Sequence, residues 1–277
     1  MHRTPPSPCP ALDRRIAHLR ELAAAEPRLE GVLLYGSWTL GEADAHSDIE
    51  AYLYVRDEYA DTFDGPEFVG RLAPLKLAYT NMYGILAVVF DDLMRGEFHI
   101  VAAGPGIDEV PTWRGMVHLP DPGAAVLLDR DGRLTAAARR LADPCPPEPG
   151  PTALQLTGEL ANWTLMLAHV LNRGETARAH ALLHSVVAPL QLQLCRLLRG
   201  STAHWLTPSR ALEQDLSAAD RDRYTAMTAP AVLPAVRTAA RAGWRWSREL
   251  AAEASARWGI EVPVTLHEEI GALLDRG

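Results

Sequence analysis

Apolar residues recur at two different spacings along this chain, and the switch from one to the other divides it. Residues 13–26 place Ile16, Leu19, Leu22 and Ala23 on one face at three- and four-residue intervals, which predicts a helix. Short apolar runs follow at 32–35, 49–55, 84–90 and 98–102, each of strand length and bounded by polar or glycine-containing stretches. The last two are separated by Asp91-Asp92-Leu93-Met94-Arg95-Gly96, whose polar and glycine content predicts a hairpin connection. Residues 133–141 predict a short helix that closes this half.

Residues 142–152, ADPCPPEPGPT, carry five prolines and a glycine. A segment that lacks so many backbone donors suits neither a helix nor a central strand, so the domain boundary is expected here, with domains at 1–143 and 152–277. Downstream the texture is helical throughout. Residues 153–171 and 176–198 predict an antiparallel pair joined by Asn172-Arg173-Gly174-Glu175, and further helices are expected at 209–216, 218–227, 232–257 and 266–274. The last is preceded by a capping-box pattern, Thr265-Leu266-His267-Glu268. The fold class expected is α+β: an N-terminal mixed sheet with helices and a C-terminal all-α bundle.

Composition narrows the classes of function. At 277 residues the chain is long enough for two separate cores. Apolar residues make up 48% and charged residues 22%, and no uninterrupted apolar run approaches the length of a membrane span, so a soluble protein is expected. The first residues, MHRTPPSPCP, have no apolar stretch with a small-residue cleavage site; they read as a disordered lead-in, and the protein as cytoplasmic. Cys9, Cys145 and Cys195 are too scattered for a disulfide framework or a zinc site. A net charge of -8 argues against a stable complex with bulk nucleic acid, and leaves a small acceptor as the expected partner.

The densest chemistry lies between the first two strands, in GVLLYGSWTLGEADAHSDIEA, residues 31–51. Asp48 and Glu50 are separated by one residue at the start of a strand. A period of two puts both carboxylates on one face, where they can share hard cations such as magnesium. Gly36-Ser37 ends the preceding strand and offers bare backbone amides and a hydroxyl to phosphate oxygens. A serine nucleophile is the other reading, but Gly36-Ser37-Trp38-Thr39 lacks the glycine spacing of a nucleophile elbow. Metal-assisted phosphoryl chemistry normally uses a third acid, and Glu97, with His99 two residues later on the same face, is the candidate; Asp91 and Asp92 are the fallback. Trp38 and Thr39 are expected beside the ligand, and Arg173 as a phosphate partner. His46 is expected to be solvated, and His169, His180 and His184 to pack within the helical hairpin.

The segment LLYGSWTLGEADAHSDIEAYLYV resembles the minimal nucleotidyltransferases of the DNA polymerase beta superfamily, most closely the bacterial lincosamide nucleotidyltransferases. The likeness extends through RGEFHIV at 95–101, LNRGE at 171–175 and HWLTPSRALEQDL at 204–216. It implies a polymerase beta-like catalytic domain beside a helical bundle, and a homodimer. It also implies Gly36 and Ser37 as nucleotide contacts, Asp48 and Glu50 as magnesium ligands, and Glu97 as third acid or general base. The expected activity is transfer of a nucleoside monophosphate, AMP from ATP, to a hydroxyl of a small sugar-containing acceptor, with two magnesium ions and the helical domain forming much of the acceptor wall. Two rivals remain. An aminoglycoside nucleotidyltransferase would line its acceptor pocket with acids such as Asp44, Asp57 or Asp61; a non-enzymatic toxin partner or regulatory module could lose the acid set, whose presence here favours catalysis.

Overall fold

The computed structural model describes residues 9–276; residues 1–8 of the expected lead-in lie outside them. The chain divides into two compact units, Met1–Cys145 and Pro146–Gly277.

The first unit is built on a six-stranded sheet in the order β3-β4-β5-β2-β1-β6. Its strands are β1 (Leu29–Leu34), β2 (Ile49–Val55), β3 (Leu75–Thr80), β4 (Leu86–Phe90), β5 (Arg95–Ala102) and β6 (Val126–Asp129). Only β2 and β5 run parallel; the other pairings are antiparallel, so the sheet is mixed as expected. The helices are α1 (Pro10–Ala25), α2 (Gly65–Gly70), α3 (Ala103–Glu109), α4 (Pro122–Ala125) and α5 (Arg133–Ala138). Alternation along β2 sorts the two faces. Ile49, Ala51, Leu53 and Val55 join the core under α1, whereas Tyr54 joins a second core with Leu33, Ile107 and Leu134, and Tyr52 packs against that core. Glu50, two residues before Tyr52, therefore belongs to the second face.

Two strands escaped the sequence pattern. β3 is an edge strand whose residues are nearly all exposed, including Leu77 and Tyr79, and β6 has only four residues. Neither shows a periodic apolar face. The hairpin between β4 and β5 forms, but Gly96 already lies in the strand and the left-handed position is taken by Leu93, with φ 67°. Asp92 offsets that strain by accepting from the Met94 amide at 3.1 Å and pairing with Arg15 at 3.0 Å.

The second unit is all-helical: α6 (Pro149–Asn172), α7 (Thr176–Leu182), α8 (Ala188–Arg199), α9 (Leu212–Asp215), α10 (Ala218–Ala226), α11 (Leu233–Trp258) and α12 (Val264–Asp275). α6 starts inside the proline-rich stretch, because proline is tolerated in a first turn whose amides have no partner anyway. α7 and α8 form one continuous rod with a π-helical segment, Leu183–Val187, between them. Pro189 supplies the reason: it cannot donate to residue 185, and a wider turn relieves the clash of its ring. The rod Thr176–Arg199 has the length and apolar composition of a membrane span, yet 56% of its most apolar window is buried in the bundle core. The predicted capping box does not form. α12 begins at Val264 after Pro263, where the His267 amide donates to the Pro263 carbonyl at 3.0 Å, and Trp244 Nε1 fixes this turn by donating to the His267 carbonyl at 3.1 Å.

Buried charge is concentrated at a few anchors. Glu26 is 5% exposed and accepts from Arg28 Nε at 2.7 Å and Nη2 at 2.9 Å, with Arg71 at 3.5 Å. Arg28 above all holds the Glu26 carboxyl below its ordinary value of 4.5, against the opposing effect of burial. Because the folded pKa is lowered, this contribution to stability is complete above the ordinary value and is lost as pH falls through the folded one. Glu26→Gln should therefore flatten the acid limb of the stability profile. Urea midpoints collected between about pH 3 and pH 7 test this, and an acid limb as steep as wild type would refute it.

Candidate active site

The parallel pairing of β2 and β5 sets the site. In its register Glu50 lies opposite Glu97 and Tyr52 opposite His99, so the predicted third acid sits beside the predicted pair, on the same face. Glu97 occupies the third position of β5, because the strand begins at Arg95. Asp48 immediately precedes β2 and is level with Arg95. The guanidinium of Arg95 spans the gap, with Nη1 3.6 Å from Asp48 Oδ2 and Nη2 3.0 Å from Glu97 Oε1.

Gly36 and Ser37 reach the same place from β1. The Tyr35 amide donates to the Glu50 carbonyl at 3.3 Å, after which the chain turns through Gly36 with φ +78°. The Thr39 hydroxyl donates to the Gly36 carbonyl at 2.8 Å, and the Glu42 amide to the Ser37 carbonyl at 2.9 Å, which closes the loop. A Cβ at Gly36 would overlap the Glu50 carboxylate, so the glycine gives both the turn and the space for the acid. Gly36→Ala should displace Glu50 and lower turnover by about tenfold to a hundredfold, since displacements of about 1 Å at a reacting centre have costs of this size. A steady-state assay checks it; a rate within about twofold of wild type would contradict it.

Tyr35 and His99 form the inner wall. The Tyr35 hydroxyl lies 3.0 Å from His99 Nε2, and Tyr52 stacks on His99 at 4.0 Å between ring centroids and packs at a tilt against Trp113 at 4.6 Å. Burial first, and then the charges of Glu50, Glu97 and Asp48, push the Tyr35 phenol well above its ordinary value. Burial also holds His99 below the usual histidine range. A protonated phenol thus faces a neutral imidazole, and the hydrogen bond between them ties the two rings together beside the acids. Tyr35, Tyr52, Trp113 and Arg95 were not singled out from the sequence. The period of two running through Glu50, Tyr52 and Tyr54 was the available signal for the tyrosines.

Other sequence candidates fall elsewhere. Trp38 is anchored by its Nε1 donating to Asp13 Oδ1 at 2.8 Å and packs on the core under α1. Asp91 and Asp92 lie in the hairpin turn, with Asp92 paired to Arg15. Asp44 is exposed and organises its own turn by accepting from the His46 amide at 2.8 Å, while His46 is exposed. Asp57 and Asp61 follow the opposite end of β2 from Asp48 and Glu50, and seven residues of strand span about 23 Å. Arg173 is exposed in the α6–α7 turn. His180 and His184 pack together at 4.4 Å, His180 also bonding the Ala229 carbonyl at 3.0 Å, whereas His169 is exposed.

The donor chemistry fits a hard divalent cation: the acids Asp48, Glu50 and Glu97 gather at one face of the sheet and offer carboxylate oxygens. Among the described residues no three His, Cys, Asp or Glu groups are gathered closely enough to hold a metal. Glu50 rests against Gly36, and Asp48 and Glu97 share Arg95.

Comparison with known proteins bears on the second unit. Residues 152–272 match the family described as lincosamide nucleotidyltransferase-like, C-terminal domain. No curated protein matches the chain. Among solved structures, the chain is similar to an aminoglycoside 6-adenyltransferase from Bacillus subtilis, at 12% identity and a TM-score of 0.44, covering 94% of this chain and 95% of that one. The helical unit thus carries a domain of the lincosamide nucleotidyltransferase-like C-terminal type, and it follows in the chain a mixed sheet that brings Glu50 and Glu97 together on one face.

Proposed function

We propose that this protein transfers a nucleoside monophosphate, AMP from ATP, to a hydroxyl of a small sugar-containing acceptor of the lincosamide class. The observation that carries this reading is the register that sets Glu97 beside Glu50 and next to Gly36-Ser37, in a chain whose remaining half matches a lincosamide nucleotidyltransferase-like domain. Magnesium, when bound, offsets charge on the phosphate oxygens and the departing pyrophosphate. Asp48 and Glu50 are the residues that would hold it.

The other steps belong to the chain itself. Gly36 and Ser37 hold the outer phosphates through backbone amides and the serine hydroxyl, which orients the α-phosphorus for in-line attack. Glu97 accepts the proton of the acceptor hydroxyl, and Tyr35 and His99 keep the floor beneath it rigid. The acceptor oxygen forms a bond to the α-phosphorus as the bond to pyrophosphate breaks.

Incubating the protein with labelled ATP, magnesium and a panel of lincosamides and aminoglycosides tests the proposal. Pyrophosphate release together with an adenylylated lincosamide is expected. Turnover confined to aminoglycosides would overturn the acceptor assignment. The position of Asp57 and Asp61 beyond the far end of β2 speaks against that outcome, because those acids would not line a pocket at Asp48 and Glu50.

A further inference from the structure

Arg95 opens β5 opposite Val89 of β4 and precedes the Ile49–Gly96 register pair. That position puts it level with Asp48, and its guanidinium contacts Asp48 and Glu97 together. Its side chain is 62% exposed, against 27% for each of the two acids. The head is therefore held by two charges yet free to leave on a flexible stem, and an exposed pair of this kind is weak enough for a divalent ion to displace. A cation on Asp48 and a guanidinium beside the same carboxylate oppose each other, since like charges repel at contact distance.

Once displaced, the head stays tethered to the strand two residues before Glu97, whose register partner Glu50 rests against Gly36 of the Gly36-Ser37 loop. The guanidinium fork matches pairs of phosphate oxygens, which a triphosphate supplies there. We propose that Arg95 is a positioning residue that couples the two ligands: it occupies the acids until cation and triphosphate arrive together, then turns to the phosphates. The inference rests on the metal-binding reading of Asp48. Its consequence is reciprocal coupling, in which the nucleotide tightens cation binding and the cation tightens nucleotide binding by the same factor.

Titration of the full chain with Mn2+, followed by electron paramagnetic resonance of the free ion, tests this with and without a non-hydrolysable ATP analogue. Arg95→Ala is expected to bind Mn2+ alone about threefold to tenfold more tightly than wild type, since the competing head is gone. At saturating Mn2+ it should bind the analogue about tenfold more weakly, with the coupling factor reduced to match. Arg95→Lys, which keeps the charge without the fork, should fall between the two. Mn2+ affinity that is unchanged or weakened in Arg95→Ala overturns the proposal, and so does unchanged analogue affinity. Asp48→Asn separates this failure from that of the underlying reading: Mn2+ binding as tight as wild type in that variant would remove the metal role of Asp48 itself.

Discussion

Asp48→Asn should lower turnover by about a thousandfold while leaving the fold intact, a loss of about 4 kcal/mol in transition-state stabilisation. The size follows from charge. An amide has the shape of a carboxylate but carries no charge to hold a cation against developing phosphoryl charge, and one preorganised electrostatic contact in such a site is worth a hundredfold to a thousandfold alone. Stability should change by no more than about 0.5 kcal/mol, because Asp48 precedes the strand, is partly exposed and pairs with the exposed Arg95. Pyrophosphate release measured beside a thermal melt separates the two effects. More than about a hundredth of wild-type activity in a folded variant would contradict a direct metal role. Glu97→Gln sharpens the comparison: as a general base Glu97 affects the rate and its pH dependence while leaving Mn2+ affinity in place, whereas as a ligand it lowers both.

The sequence made the paired acids of the candidate site legible because their relation is local. Asp48 and Glu50 share a face by strand alternation alone, and Gly36-Ser37 is a contiguous loop. Glu97 is different: its place depends on β2 and β5 being neighbours, and its spacing from Glu50 in the chain says nothing of register. The structure supplies that register. Arg95 was hidden for a related reason, since a charged residue next to a turn reads as solvated until the strand opposite it is known. The helical half shows the same limit. Apolar spacing located the long helices, but Pro189 in the middle of one widened its turn, and Pro263 rather than Thr265 set where the last begins. Local chemistry competes at such points with packing, and Trp244 holding the His267 carbonyl is a contact between residues 23 apart.

Arg196→Ala should destabilise the helical unit by about 3–5 kcal/mol, the usual cost of removing one partner from a buried charged network. HWLTPSRALEQDL, residues 204–216, entered the family resemblance as a motif of unassigned purpose, and the structure gives its residues a structural one. The Arg196 side chain is fully buried; it donates from Nε to the Pro208 carbonyl at 2.8 Å, and from Nη1 to Asp215 Oδ2 at 2.7 Å and to the Ser201 hydroxyl at 3.1 Å. Nη2 donates to the Arg210 carbonyl, and His204 Nδ1 lies 2.7 Å from the same Asp215 oxygen. One arginine on α8 thus replaces water for a whole irregular segment that has no ladder of its own to satisfy these groups. Truncation leaves several carbonyls without their donor and Asp215 with His204 alone, so the cost far exceeds that of a surface pair. Five of the seven tryptophans lie in the helical half, and urea unfolding followed by their fluorescence reads that half preferentially. Asp215→Asn, which keeps the shape and one acceptor, should cost clearly less than Arg196→Ala. Equal losses would mean that the ion pair, and not the carbonyls gathered around the guanidinium, holds residues 201–215 in place.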